Sequence, residues 1–248
     1  MLGYQVIASI IITSYNGARY LDKAILSCTK QRFPEDKFEI IVADDNSSEP
    51  EVRDVLKYYH AKFPNFKYFV SDVSEEDRYK TARYATQINT AVKEYSKGKY
   101  LFYLPHDDYF YPHKLIMHVR QMERLNQAVT YSGQDMFAED GTPLGTRYDG
   151  VIGKDFMGAK QLSNGFNILD HSQVCTRRDA FNAVMGWPDN PEYWSGADAY
   201  FWVRLSQAGF VFNPVTCTLG AKVYRQNGVQ NTIYGGRILK YVSNETAL

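Results

Sequence analysis

Four short apolar runs, Val6–Ile12, Phe38–Ala43, Phe66–Val70 and Tyr100–Leu104, constrain this chain more than any other feature. Runs of this length, rich in β-branched and aromatic residues, suit parallel strands covered on both faces. The segments between them carry helical spacing instead. In Arg19–Lys30, Tyr20, Leu21, Ala24, Ile25 and Cys28 fall on one face; in Glu49–Lys62, Val52, Val55, Leu56 and Tyr59 do the same. Thr81–Tyr95 reads as a third helix. Strand and helix in alternation predict an α/β fold: a Rossmann-like, mostly parallel central sheet with helices on both faces.

Beyond Leu104, Pro112–Asn126 reads as a helix begun by proline, and Ala128–Ser132 as a strand. The second half is less regular. Gly145, Gly150, Gly153, Gly158 and Gly165 punctuate a polar stretch that reads as a lid candidate. Phe166–Cys175 and Val215–Tyr224 read as extended, Arg177–Val184 and Ala197–Ala208 as helical. With 248 residues and no visible linker, the expectation is one domain over 1–248. Its nucleotide-binding half would cover about 6–132, a smaller mixed acceptor-side region about 133–230, and a tail 231–248.

Composition excludes several classes. Lys plus Arg equals Asp plus Glu, 28 each, so there is no broad electrostatic footprint for nucleic acid. Cys28, Cys175 and Cys217 lack zinc-like spacing and suggest reduced thiols in a cytoplasmic protein. The run Val6–Ile12 is too short to span a bilayer, which leaves peripheral association open. Neither a GxGxxG nor a P-loop sequence is present.

In open α/β sheets, ligands bind beyond the C-terminal strand ends. Three polar clusters fall there: Thr13-Ser14-Tyr15-Asn16-Gly17, Asp44-Asp45-Asn46-Ser47 and His106-Asp107-Asp108. The first leads into a helix, where backbone N–H groups can meet an anion or simply form a capped turn. The second can cap the next helix, or accept hydrogen bonds from a base or ribose. The third sets two carboxylates side by side at a buried strand end. Such a pair is costly unless a cation compensates, and Mg2+ or Mn2+ with oxygen ligands would do so; the alternative is a solvated turn. Asp198, at the start of an aromatic helix, is a cap or a general base. Flanking aromatics, Trp194 among them, would shape a sugar-sized slot. Asp170-His171 could orient a hydroxyl or form a structural hydrogen bond. His113 and His118 read as surface or packing residues.

Taken together, Ile10 through Asn16, Ile41 through Ser47, Tyr100 through Tyr109, Pro112 through Leu115, and Gly196-Ala197-Asp198 with Arg204-Leu205 resemble the inverting family 2 glycosyltransferases of the GT-A fold. Lys80 through Ala85, Ile88-Asn89 and Asp170-His171 carry a further similarity to the family's spore-coat polysaccharide branch. The resemblance implies a nucleotide-sugar donor, UDP- or dTDP-linked, and a saccharide or glycoconjugate acceptor. It implies that Thr13 and Tyr15 line the base and ribose pocket, that Asp45 holds the base, and that Arg83 fixes the base or a phosphate. Asp107 would touch the ribose or share the metal, Asp108 would coordinate Mn2+ or Mg2+, and Asp198 would be the catalytic base. Asp170, His171 and Trp194 would face acceptor or donor sugar. Three positions depart from the family pattern: His106 replaces a carboxylate, Ala197 replaces the usual acidic neighbour of Asp198, and Asn227 replaces a frequent His. The rival readings are a catalytically inactive binding module of the same fold, a sugar-phosphate nucleotidyltransferase, and a phosphatase with a strand-end aspartate. The oligomeric state stays open.

Overall fold

The computed structural model describes residues 6–147, 169–194 and 196–225. The strands β1 (Ala8–Ser14), β2 (Phe38–Asp44), β3 (Phe66–Val70) and β4 (Tyr100–Pro105) form a parallel array in the order β3-β2-β1-β4. Beyond β4 the sheet becomes mixed. Strand β8 (Val174–Arg177) pairs antiparallel with both β4 and β6 (Val129–Ala138). The long β9 (Phe212–Tyr224) runs parallel to β6, and the short β5 (Tyr109–Phe110) closes the edge on β9. A hairpin strand, β7 (Pro143–Arg147), pairs with β6.

The two-residue period of β1 explains the two cores. Ile10 and Ile12 face one side, packed with α1 (Ala18–Thr29), α2 (Pro50–Lys62) and α4 (Lys114–Leu125) through Leu21, Leu56 and Leu115. Ile11 faces the other, packed with α3 (Arg83–Thr90), α5 (Arg178–Ala183) and α6 (Ala197–Gln207) through Ile88, Phe181, Phe201 and Trp202. Every residue of β1 and β2 is buried, as helices on both faces require. The expected α/β architecture is therefore present, with its mixed region on the β6–β9 side.

Several boundaries differ from the sequence reading. Strand β1 runs through Ser14, so Thr13 and Ser14 belong to the sheet rather than to a loop. The segment expected to be helical over Thr81–Tyr95 is α3 followed by a wider π turn, Ala91–Tyr95. Gly145 sits in strand β7, where the hairpin pairing outweighs its glycine; Gly150, Gly153, Gly158 and Gly165 lie outside the described residues. Of the stretch expected to be extended over Phe166–Cys175, the described part folds as a 3-10 turn, His171–Gln173, before β8 begins. Asp170 sets that turn: its carboxylate accepts from the Gln173 backbone while the Gln173 side chain accepts from the Asp170 N–H. Among the described residues no helix is long and apolar enough to cross a membrane.

Candidate active site

Parallel register brings the ends of β1, β2 and β4 to one edge: Ser14 lies opposite Asp44, and Thr13 opposite Pro105. The chain then turns sharply at Asn16 and Gly17, both at positive φ. Gly17 is required twice. Its φ of 76° disfavours a side chain, and a Cβ there would meet His106 Nε2 at 3.1 Å. The helix amides exposed by this turn already have an anion. Glu49 Oε2 accepts from Gly17 N at 2.8 Å and Ala18 N at 3.1 Å, and Ser47 Oγ accepts from Asn16 N. The anion expected at this helix start is thus a side chain of the chain itself.

Asp44 and Asp45 divide their work. Asp44 is fully buried and accepts from Ser47 N and Ser47 Oγ, a turn-forming role. Asp45 is held by two guanidinium groups. Arg83 donates to Oδ1 from Nε at 2.9 Å and from Nη2 at 2.6 Å, and Arg78 Nη1 donates to Oδ2 and to the Asp45 carbonyl. The Arg78 guanidinium also lies 3.9 Å from the centre of the Tyr15 ring and pairs with Glu75. Tyr15 keeps about a third of its surface exposed and donates to Glu75 Oε1. Arg83 thus meets Asp45 directly, Arg78 joins Tyr15 to Asp45, and Thr13 is buried in β1. Arg78 escaped the sequence reading, because it sits in a polar stretch with no period to mark it.

At the end of β4, Asp107 and Asp108 diverge. Asp107 is the more open, with Arg225 Nη1 3.5 Å from its Oδ2; the same Arg225 nitrogen lies 3.0 Å from His106 Nε2. Burial holds the His106 imidazole below its usual pKa, so the ring stays neutral and accepts from the arginine. Asp108 is buried and accepts from Ser172 Oγ at 2.9 Å and from Val223 N at 3.1 Å. Its pKa is pushed up to about 7 by burial, against the pull of the nearby Lys222 ammonium.

No group of three or more His, Cys, Asp or Glu side chains able to hold a metal occurs among the described residues. Two adjacent carboxylates still fit Mg2+ or Mn2+, which are commonly held by one or two carboxylates and complete their shell with phosphate and water. Asp107, with 23% of its side chain exposed, leaves a carboxylate open to such a shell beside Asp108.

Asp198 lies one residue into α6, buried, with Oδ1 accepting from Ala199 N at 2.9 Å. Its Oδ2 stands 3.8 Å from His171 Nδ1. Asp170, one residue earlier, has a different fate. Lys222 Nζ reaches it at 2.8 Å and Arg147 at 3.3 Å, and despite burial these cations hold its pKa down at about 2. Trp194 stacks on the exposed Tyr79 at 5.8 Å between centroids. The 3-10 turn ties these parts together: His171 faces Asp198, Ser172 faces Asp108, and Gln173 Nε2 donates to Ser132 O. His118 packs as expected, fully buried with Nδ1 2.8 Å from Thr130 Oγ1.

An α/β protein with carboxylates gathered beyond the C-terminal ends of its parallel strands is the class this geometry defines. Glycosyl transferase family 2 matches over residues 9–185, and the chain belongs to that family. Protein CgeD of Bacillus subtilis (strain 168) is 34% identical over 206 residues, covering 80% of this chain and 46% of CgeD. A crystal structure of S. aureus TarS 1-349 in complex with UDP-GlcNAc has a TM-score of 0.70 at 17% identity, over 90% of this chain and 60% of that one. The mannosyltransferase PcManGT from Pyrobaculum calidifontis, in complex with GDP-Man and Mn2+, has a TM-score of 0.61 at 13% identity, over 92% of this chain and 60% of that one. These structural likenesses are likenesses of fold. The chain spans about half the length of CgeD and under two thirds of the two structural relatives.

Proposed function

We propose that the chain transfers a sugar from a nucleoside-diphosphate sugar, UDP- or dTDP-linked, to a hydroxyl of a saccharide or glycoconjugate, with inversion at the anomeric carbon. The observation that carries this reading is the shared strand edge. Tyr15 and Asp45 follow the ends of β1 and β2, Arg83 reaches Asp45 from the start of α3, Asp107 and Asp108 follow β4, and the turn His171–Gln173 links Asp108 to Asp198. Nucleotide-sugar complexes of proteins with this fold support the donor class.

In this reading Tyr15 and Arg83 flank the base and ribose, and Asp45 keeps Arg83 oriented while receiving a base N–H on a remaining lone pair. Asp107 and Asp108 would hold Mn2+ or Mg2+, which would offset the charge that grows on the departing diphosphate. Asp198 takes the proton of the acceptor hydroxyl as that oxygen attacks from the face opposite the leaving group. Asp170 cannot share this task, since its two cations keep its carboxylate a weak base.

The test is thermal stabilisation of the full chain by UDP, dTDP, GDP and CDP, each with Mn2+ and with EDTA, followed by nucleoside-diphosphate release from the matching sugars. Mn2+-dependent stabilisation by UDP or dTDP with release is the expected result. Stabilisation without release from any donor would instead favour an inactive binding module, a reading that Ala197 beside Asp198 keeps in play.

A further inference from the structure

We infer that His171 is the positioning residue of the proposed base: its imidazole donates from Nδ1 to Asp198 and fixes the carboxylate for proton abstraction. This rests on Asp198 acting as proposed above. It moves His171 from the sugar-contacting role implied by family resemblance to a place behind the base.

The position before Asp198 provides the first reason. Ala197 is fully buried, and its N–H donates to Tyr84 Oη at 2.8 Å, so the position before Asp198 supplies a backbone anchor in place of a carboxylate. The same Tyr84 ring stacks on His171, with centroids 6.0 Å apart and planes 21° apart, and Trp187 meets the imidazole edge-on at 5.7 Å. One tyrosine therefore anchors the start of α6 and one face of the imidazole. The turn that carries His171 is independently locked by the Asp170–Gln173 cap and by Lys222 and Arg147 on Asp170. The ring is oriented by its surroundings rather than by the carboxylate.

The second reason is the pattern of partners. His171 Nε2 is buried without a hydrogen-bond partner among the described residues, whereas Nδ1 faces Asp198 Oδ2 at 3.8 Å. A proton on Nε2 would be an unsatisfied buried donor. A proton on Nδ1 leaves only an unfilled lone pair at Nε2 and points a donor at the carboxylate. A separation of 3.8 Å is longer than a hydrogen bond, as is common for catalytic contacts before substrate binds. Asp198 Oδ1 accepts from Ala199 N, and a donor on Oδ2 adds a point of support on the carboxylate's other oxygen.

The experiment separates donor chemistry from packing. Asparagine places its Nδ2 where the histidine has Nδ1; glutamine places its amide one atom further out. With water as acceptor, nucleoside-diphosphate release is measured across a panel of UDP- and dTDP-sugars with Mn2+. His171→Asn should keep kcat within about threefold of wild type, while His171→Gln and His171→Leu should lose roughly ten- to hundredfold with donor KM unchanged. Equal losses in all three variants, or none in His171→Leu, would overturn the proposal. Long-range 1H–15N spectra of the imidazoles provide a readout independent of turnover. They should show the Nδ1–H tautomer for His171 and a change at its ring nitrogens in Asp198→Ala; an Nε2–H tautomer, or indifference to Asp198→Ala, overturns the pairing. The expected spectra in a chain that turns over no donor would sink the proposed activity and leave the His171–Asp198 pairing standing.

Discussion

Ser172 Oγ donates to Asp108 Oδ2 at 2.9 Å, and this one bond joins the turn facing Asp198 to the carboxylate pair at the end of β4. Ser172→Ala removes a donor from a buried acidic group without changing its packing volume much. The expected cost is about 1–3 kcal/mol, seen as a Tm lowered by roughly 3–10 °C. If Asp108 is a metal ligand, the apparent Mn2+ affinity in the presence of UDP should also fall about tenfold, as for other supports of ligating groups. Titration calorimetry with Mn2+ and UDP checks this. Unchanged Mn2+ affinity alongside a lowered Tm would leave Asp108 a purely structural acid.

The clamp on Asp45 makes a second prediction. Asp45 and Arg78 are both nearly fully buried, so Arg78→Met takes one of two cations from a buried carboxylate and leaves it to Arg83. The variant should cost about 1–3 kcal/mol and uncover the Tyr15 face that the guanidinium now covers. Arg83 is more open, with 13% of its side chain exposed, and Asp45 would keep Arg78 without it. Arg83→Met should therefore leave Tm nearly unchanged and weaken UDP binding by roughly tenfold, since a lost hydrogen bond to a charged group is worth that much. Differential scanning fluorimetry with a UDP titration reads both variants. A collapse of Tm in Arg83→Met would make that arginine a structural partner of Asp45 alone.

The strand edge was legible in the sequence for a physical reason. Buried parallel strands are mostly apolar, so the point where Ile-Ile-Ile gives way to Thr-Ser-Tyr-Asn, or Leu to Pro-His-Asp-Asp, falls close to the place where the chain leaves the core, although β1 carries Thr13 and Ser14 along with it. Tyr15, Asp45, Asp107 and Asp108 could be picked out that way. Their partners could not. Glu49, Arg78, Ser172 and Lys222 come from helix starts, an irregular polar stretch, a 3-10 turn and the end of a late strand. Nothing periodic distinguishes an arginine that folds back under a tyrosine from one left in solvent. From sequence Asp198 reads as the base and Asp170 as a sugar contact; the structure separates them further with two cations on Asp170, Lys222 and Arg147, that a sequence pattern could not show.

That separation is itself testable. Asp198→Asn keeps the bond from Ala199 N and should leave Tm and UDP affinity close to wild type, while transfer falls by about two to four orders of magnitude. Asp170→Asn should do the reverse. It leaves Lys222 buried beside a neutral amide, so Tm should fall by several degrees while measurable transfer remains. Transfer at a normal rate in Asp198→Asn, paired with loss in Asp170→Asn at unchanged Tm, would exchange the two roles.

Lys114 has no part in the proposed chemistry but governs a pH dependence. It is fully buried on α4, and its described partners, Ser132 Oγ at 2.8 Å and Gln173 O at 3.0 Å, are neutral. Burial brings its pKa down from 10.5 to about 7. Between these values the unfolded chain holds the proton and the folded chain does not, so this residue's contribution to stability improves as pH rises from about 7 to about 10.5. Below about 7 both states are protonated and the full cost of the buried charge is present. Lys114→Met removes that cost along with two hydrogen bonds of about 1 kcal/mol each, and exchange of a buried ion for a well-packed apolar group is often neutral or stabilising. The Tm of Lys114→Met minus that of wild type, followed from about pH 6 to pH 10, isolates the effect from every other titrating group. It should be largest at the acid end and shrink through the alkaline range. A difference that is flat with pH would mean that Lys114 stays protonated in the fold, its charge met by the two oxygens and the Phe110 ring.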